Sequence, residues 1–205
     1  MHDHLEGFDE EKHYKGQLII PIILFTVELF GGWYSGSASL LADALHVFMD
    51  SLSALISIFV ARFVRINGNG NNIRKKGVII SSLLLSIIAI HIIYEGIGRL
   101  ILPQKVDDSM IGFALFGLVG NMIQKYFHDR APKEYHNSTH LLHNKHIVSD
   151  MKASIGIVIG GFLMTISSVF YRVDGILAIW IGGSICHFLI RLLRNSKKIK
   201  EIQDH

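Results

Sequence analysis

The sequence predicts an all-α membrane protein, a six-transmembrane-helix bundle with both termini cytosolic, and three observations carry that prediction. Half of the 205 residues are hydrophobic and the mean hydropathy is positive. The charged residues gather between long apolar stretches instead of spreading along the chain. Lys and Arg concentrate in alternate connections, as the positive-inside rule requires.

A hydrocarbon core of about 30 Å takes about 20 mostly apolar residues of helix. Six stretches qualify, near residues 18–34, 38–62, 77–101, 109–127, 140–170 and 174–194. They divide the chain into a cytosolic tail over 1–17, a six-helix membrane domain over 18–194 and a short cytosolic tail over 195–205. The polar, acidic start, "MHDHLEGFDEEKHYKGQ", has no apolar region of a cleavable leader, so the first span is expected to anchor the chain.

The first span, "LIIPIILFTVELFGGWYSG", is apolar except for Glu28 and runs into "GGWYSGS", short enough only for a tight hairpin. The second begins beside Ser37 and Ser39, both suited to capping a helix start, and carries Asp43, His46 and Asp50. The third holds His91 and Glu95. The fourth holds Asn121 with Gly112, Gly117 and Gly120, small residues that let membrane helices approach closely. The fifth is divided. "THLLHNKHIVSD" is too polar for lipid, whereas "SIGIVIGGFLMTISSVF" is a good span with Gly156 and Gly160 at small-xxx-small spacing. Its first half must therefore face protein or water. The sixth, "DGILAIWIGGSICHFLIRLLR", closes the bundle.

The basic residues set the orientation. Lys12 and Lys15 precede the first span. Arg62, Arg65, Arg74, Lys75 and Lys76 join the second to the third, and Lys125, Arg130, Lys133 and Lys145 join the fourth to the fifth. Arg191, Arg194, Lys197, Lys198 and Lys200 follow at the end, against only Arg99, Lys105 and Arg172 on the other side. Both termini are thereby placed in the cytosol of a cell-membrane protein with an even number of spans. On this topology "NST" at Asn137 faces the cytosol and stays unglycosylated. The net charge of +3 reads as topology, not nucleic-acid binding, because no basic run carries interleaved aromatics. A single cysteine, Cys186, excludes an intrachain disulfide or thiolate cluster. No phosphate-binding loop and no Ser/His/Asp hydrolase set is present, so neither a primary pump nor an enzyme is indicated.

One motif occurs twice. "HVFMD", His46 to Asp50, is matched by "HIVSD", His146 to Asp150. Four residues is just over a helical turn, so each His and its Asp stack on one face, close enough to ligate one ion. His46 lies eight residues into a helix entered from outside and His146 about six into one entered from inside, each about 9–12 Å deep at ~1.5 Å per residue. Two imidazole nitrogens and two carboxylate oxygens form a tetrahedral set of the kind Zn²⁺ takes. The lack of thiolate disfavours Cu(I), and the low ligand number disfavours Ca²⁺ and Mg²⁺. A lone intramembrane His is ordinarily a hydrogen-bonded bundle residue. Two carboxylates at that depth, each with a His one turn away, are costly enough to demand a ligand.

A closed four-ligand site would ordinarily be structural zinc. Here the ligands come from two helices whose relative tilt can change, which is the arrangement of a transport site. Each ligand must lose its proton to bind metal, and an imidazole with an ordinary pKa of about 6.5 makes that exchange responsive near neutral pH. Metal and proton competing for one site is antiport chemistry.

At these residues the chain resembles the cation diffusion facilitators. "VELFGGWYSGSASLLADALHVFMDSLSAL" is similar to that family's signature for its first two helices. "YEGIGRLILPQKVD" resembles its third-helix exit, "GLVGN" its fourth helix and "HNKHIVSDMKASIGIVIGG" its fifth. The resemblance covers nearly the whole chain. It implies a proton-coupled exporter of Zn²⁺, and in some members Cd²⁺ or related divalent ions, working as a homodimer in the bilayer. His46, Asp50, His146 and Asp150 match its transport site, and Glu28, Asp43 and Asn121 sit at polar positions typical of the path or of helix contacts. The chain departs in three respects. It stops at His205 without the ferredoxin-like cytosolic domain usual after the sixth helix, Lys152 stands where a small residue is expected, and the second internal loop lacks the acidic or His ligands that some bacterial members carry there. Two residues past Asp150, Lys152 points about 200° away from it, towards another helix, with Glu28 or Asp43 as the expected partner.

The other histidines leave two readings each. His128, His136, His140 and His143 form either a cytosolic funnel leading ions to His146 or a polar loop with incidental imidazoles. His2, His4 and His13 are either a metal-gathering tail or a solvated one. His91 and His187 lack a carboxylate four residues on and are expected to hydrogen-bond within the bundle. Two alternatives stand beside the transporter: a membrane subunit that senses zinc without moving it, separated by flux, and a b-type haem protein using two of His46, His91, His146 and His187, separated by its Soret band.

Overall fold

The computed structural model of the chain describes residues 2–67, 70–130 and 138–203, with side chains over 19–49, 51, 52, 55, 79, 80, 82–130, 144 and 147–190. Six α-helices and no strand occur among them: α1 His2–Ser35, α2 Ala38–Asn67, α3 Gly70–Ile101, α4 Ser109–Asp129, α5 Ser138–Ile166 and α6 Arg172–Gln203, with a 3-10 turn at Ser168–Tyr171 before α6. The backbone of residues 2–17 continues α1 and that of 195–203 continues α6, so the helices run past the ends that hydropathy gives. Glu and Lys, both good helix formers, are frequent in these stretches.

Three segments, Ser82–Ile101, Ile147–Ile166 and Ser168–Ile190, are long and apolar enough to cross a bilayer, and Ile19–Ser35 and Ala38–Met49 are shorter apolar stretches. The exterior is built for lipid. Ile80, Leu83, Ile87, Ile90 and Ile97 are exposed along α3, while Glu28, Asp43, Asn121, Asp150 and Asp174 are buried. This inversion of the soluble pattern leaves polar groups protein partners instead of hydrocarbon.

Three connections meet at one end of the bundle. Among the described residues only Gly36 takes a left-handed φ, +72°, which ends α1 at no steric cost, and Ser37 N–H donates back to Gly32 O at 3.1 Å. In the α3–α4 connection Asp107 N–H donates to Ser35 O at 2.9 Å, holding that loop over the α1–α2 turn. The Asp107 carboxylate accepts from Ser109 N–H at 2.9 Å, and the Ser109 hydroxyl and N–H beside it together hold its pKa below the usual aspartate range.

Ser37 is the cap of α2: its Oγ accepts from Leu40 N–H at 3.1 Å. The larger contribution comes from Asp174, completely buried in the first turn of α6. Its Oδ1 accepts from Ser37 Oγ–H at 2.7 Å, Ser39 Oγ–H at 2.7 Å and Ser39 N–H at 3.0 Å, and its Oδ2 accepts from Ala38 N–H at 2.7 Å. A carboxylate at the positive end of a helix dipole, with four donors around it, ties α6 to the start of α2.

Small residues set the remaining crossings. A Cβ on Gly175 would stand 2.6 Å from Gly96 O, so α6 and α3 touch backbone to backbone. On α4, Gly120 and Gly117 seat Leu24 and Glu28 of α1. On α5, Gly160 and Gly156 seat Leu177 of α6. The small-residue expectation for α4 holds at Gly117 and Gly120 but not at Gly112, which nothing approaches.

Replacing Asp174 by Ala strips the acceptor from four buried donors and should destabilise the detergent-solubilised chain by about 3 kcal/mol, read as a fall in thermal midpoint. Asp174→Asn, which keeps one acceptor oxygen, should fall in between. An Ala variant that melts with the wild type would show the clamp to be energetically idle. Gly175→Val should cost about 1–3 kcal/mol by forcing α3 and α6 apart, measured in the same way.

Candidate metal centre

The fold brings the two halves of the repeated motif together. His46 on α2 and Asp150 on α5 meet with Nε2 and Oδ1 3.3 Å apart, their side chains 13% and 9% exposed. Both helices arrive from opposite directions, and each has its principal packing partner elsewhere, α2 against α1 and α5 against α4. The two therefore share few contacts beyond this one region.

His46 and Asp150 open into a small cleft with Ser149 and Ala153 of α5. Its third wall is α6, through Trp180, Ile181 and Ser184, which hydropathy and motif spacing do not single out. Asp50 and His146 lie one turn along their helices from His46 and Asp150, and their side chains are outside the described residues. Among the described residues no three metal-type side chains surround one point. The described site is one imidazole and one carboxylate, on separate helices, in a cleft shielded by apolar helices.

A polar bridge supports this pair. Asn121 of α4 donates from Nδ2 to Ser154 Oγ at 2.9 Å, and Ser154 Oγ–H donates onward to Asp43 Oδ2 at 3.4 Å. All three are buried. The bridge spans α4, α5 and α2, and Ser154 lies one turn beyond Asp150 while Asp43 lies three residues before His46, so it fixes the rotation of the helices that carry His46 and Asp150. Asn121 is thus a helix-contact residue. Glu28 of α1 is 1% exposed and packs against the bare backbone of Gly117. Neither carboxylate oxygen has a hydrogen-bond partner among the described residues.

Other expected residues fall elsewhere. Lys152 is exposed on α5 while Glu28 and Asp43 are buried, so the pairing expected for it is not made. The 200° rotation from Asp150 does turn it away from the site, but the face it reaches is the outside of α5. His128, expected in a cytosolic loop, is 3% exposed on the last turn of α4. His136 is outside the described residues, as are the side chains of His140 and His143. His91 and His187 are exposed rather than packed in the bundle.

Comparison with known proteins agrees with this architecture. Residues 17–199 match the cation efflux transmembrane domain. The chain is 28% identical over 174 residues, 80% of its length and 54% of the relative's, to the cadmium, cobalt and zinc/H(+)-K(+) antiporter of Bacillus subtilis (strain 168). It is 27% identical over 177 residues to the zinc transporter ZitB of Escherichia coli (strain K12), covering 83% of this chain and 56% of that one. To the cation-efflux pump FieF of Pectobacterium carotovorum it is 23% identical over 182 residues, covering 84% and 60%. The chain thus spans little more than half the length of these relatives. With the transmembrane-domain match running almost from end to end, the chain belongs to the cation efflux family, the cation diffusion facilitators.

Proposed function

We propose that this chain moves divalent d-block cations, Zn²⁺ first among them, out of the cytosol in exchange for protons, through a site made of His46, Asp50, His146 and Asp150. The observation that carries the proposal is the 3.3 Å approach of His46 to Asp150 between helices that hold mainly to other partners. Zinc is the cargo here. It binds when the imidazoles are neutral and the carboxylates ionised, so loading releases protons and reprotonation expels the ion. Oxygen and nitrogen donors in a tetrahedral set suit Zn²⁺, Cd²⁺ and Co²⁺, and the names of the relatives include the same three metals.

Alternating access is part of the same proposal. The Asp43–Ser154–Asn121 bridge links α2, α4 and α5, while α2 is also tied to α6 through Asp174 and α6 to α3 through Gly96 and Gly175. A tilt of α4 and α5 against α6 would open the α5–α6 side of the cleft or close it, exposing the site to one face at a time. Six spans, cytosolic termini and action as a homodimer in the cell membrane belong to the same proposal.

In proteoliposomes with an imposed pH gradient, zinc should enter as lumenal protons leave. Asp150→Ala should lose both fluxes at least a hundredfold while its helical circular dichroism and thermal midpoint stay near wild type. Zinc uptake by that variant at the wild-type rate would sink the proposal, and zinc binding without flux in the wild type would mark a sensor instead. Ser154→Ala, which removes the bridge but no ligand, should lower maximal flux several-fold, measured with the same assay.

A further inference from the structure

We propose that the hydroxyl oxygen of Ser184 on α6 is a further contact of the cation in the cleft, and that it biases the site towards ions that favour oxygen donors. The proposal deepens the transport reading above and rests on it for the identity of the cation, but the contact it asserts stands on the geometry of the cleft.

That cleft is small. Its interior is about 20 Å³, room for about one water molecule. His46 of α2, Ser149 and Asp150 of α5 and Ser184 of α6 all line it, so an occupant held by the imidazole and the carboxylate lies within a side chain's reach of the α6 wall. On that wall Trp180 brings an N–H donor and Ile181 only hydrocarbon. Among the described lining residues, Ser184 therefore carries the one side-chain acceptor that α6 contributes.

The packing of α6 keeps Ser184 turned that way. It stands one turn past both Trp180 and Ile181, on the same side of the helix. On the α3 side, Gly182 lies so close that a Cβ there would stand 2.7 Å from Ile93, and Ile181 and Ile185 are both buried. Asp174, ten residues earlier, ties α6 to α2, the helix that carries His46. Ser184 and His46 are thus held in one frame.

The hydrogen bonding of Ser184 suits a cation. Its Oγ–H donates to Ile181 O at 2.7 Å, which commits the only proton to the helix's own carbonyl and leaves lone pairs to face the cleft. A hydroxyl fixed in this way accepts and does not donate, so it favours positive charge over negative. Ten residues from Asp174 is about 15 Å along the helix, near the middle of a ~30 Å hydrocarbon layer. There a fixed oxygen substitutes for part of the hydration shell that an entering ion gives up.

The coordination chemistry sets what the contact does. A neutral hydroxyl adds an oxygen without adding a charge or a proton to displace, and Zn²⁺ accepts a fifth ligand in addition to a tetrahedral set. Being a hard donor, it favours Zn²⁺ and Co²⁺ over the softer Cd²⁺. A thiol at the same place would reverse that preference.

Binding to the purified full chain tests the contact without calling on transport. In a Cys186→Ala background, which removes the native thiol, Ser184→Cys should bind Co²⁺ with a thiolate-to-cobalt charge-transfer band in the near ultraviolet. Ile176→Cys, exposed on the same helix but outside the cleft lining, should show none. Co²⁺ bound by Ser184→Cys without that band would overturn the proposal even if zinc is transported. Ser184→Ala gives a second reading that needs no cysteine: its Co²⁺ affinity should fall about tenfold at an unchanged thermal midpoint. Wild-type affinity in that variant counts equally against the contact. The band together with weaker binding by Ser184→Ala upholds the contact even if no metal flux is found, and in that case the transport reading is what fails. In proteoliposomes Ser184→Cys should move the Zn²⁺-to-Cd²⁺ preference about tenfold towards Cd²⁺, and an unmoved preference overturns the bias assigned to this oxygen.

Discussion

The carboxylate of Asp174 is the interaction on which the arrangement of the bundle most depends. A buried anion in a lipid-facing protein has no water to turn to, and here the start of α2 supplies what water would: two amide N–H groups and two hydroxyls. The free ends of a helix's first turn are a liability of the same kind. Each cancels the other. The result joins the α1–α2 hairpin to α6, and through the Gly96–Gly175 contact to α3. It also sets a common origin for depth. His46 is seven residues from Ser39 and Ser184 is ten from Asp174, so the imidazole and the opposite wall of the cleft are measured from one anchored point.

Around that anchor the polar interior is economical. Asn121, Ser154 and Asp43 use one side chain from each of three helices to hold the rotation of α2 and α5. Without it, a small rotation of either helix would carry His46 or Asp150 out of reach of the other, since successive residues diverge by about 100°. The outer surface asks for no such precision. Isoleucine and leucine meet fluid hydrocarbon there, and exchange of one apolar side chain for another changes little.

Legibility followed the range of the interaction. The repeated His-x-x-x-D spacing could be read because its partners stack within one turn, and the match of its two copies suggested the helices that meet at His46 and Asp150. Ser37 as a cap could be read for the same reason, its bond reaching only to Leu40. Asp174 could not, because an aspartate at the start of a helix looks like a local dipole contribution and its real partners lie on another helix. Lys152 shows the converse limit: helical geometry gave its angle relative to Asp150 correctly, but not whether that angle met a neighbour or the outside. His91 and His187 were expected in the bundle because polar residues avoid lipid, and both are instead exposed. The contribution of α6 to the site escaped the sequence because Trp180, Ile181 and Ser184 carry no motif.

The backbone contact between Gly175 and Gly96 sets how closely two long helices can lie. It sits near one end of α3 and α6, and the closeness is kept further along, where Gly182 of α6 lies against Ile92 and Ile93 of α3. A side chain can yield by changing rotamer, but main chain cannot, so at 175 even a methyl group would have to move a helix rather than a neighbour's side chain. The spacing of the two helices is thereby written into the sequence as the absence of a single carbon atom.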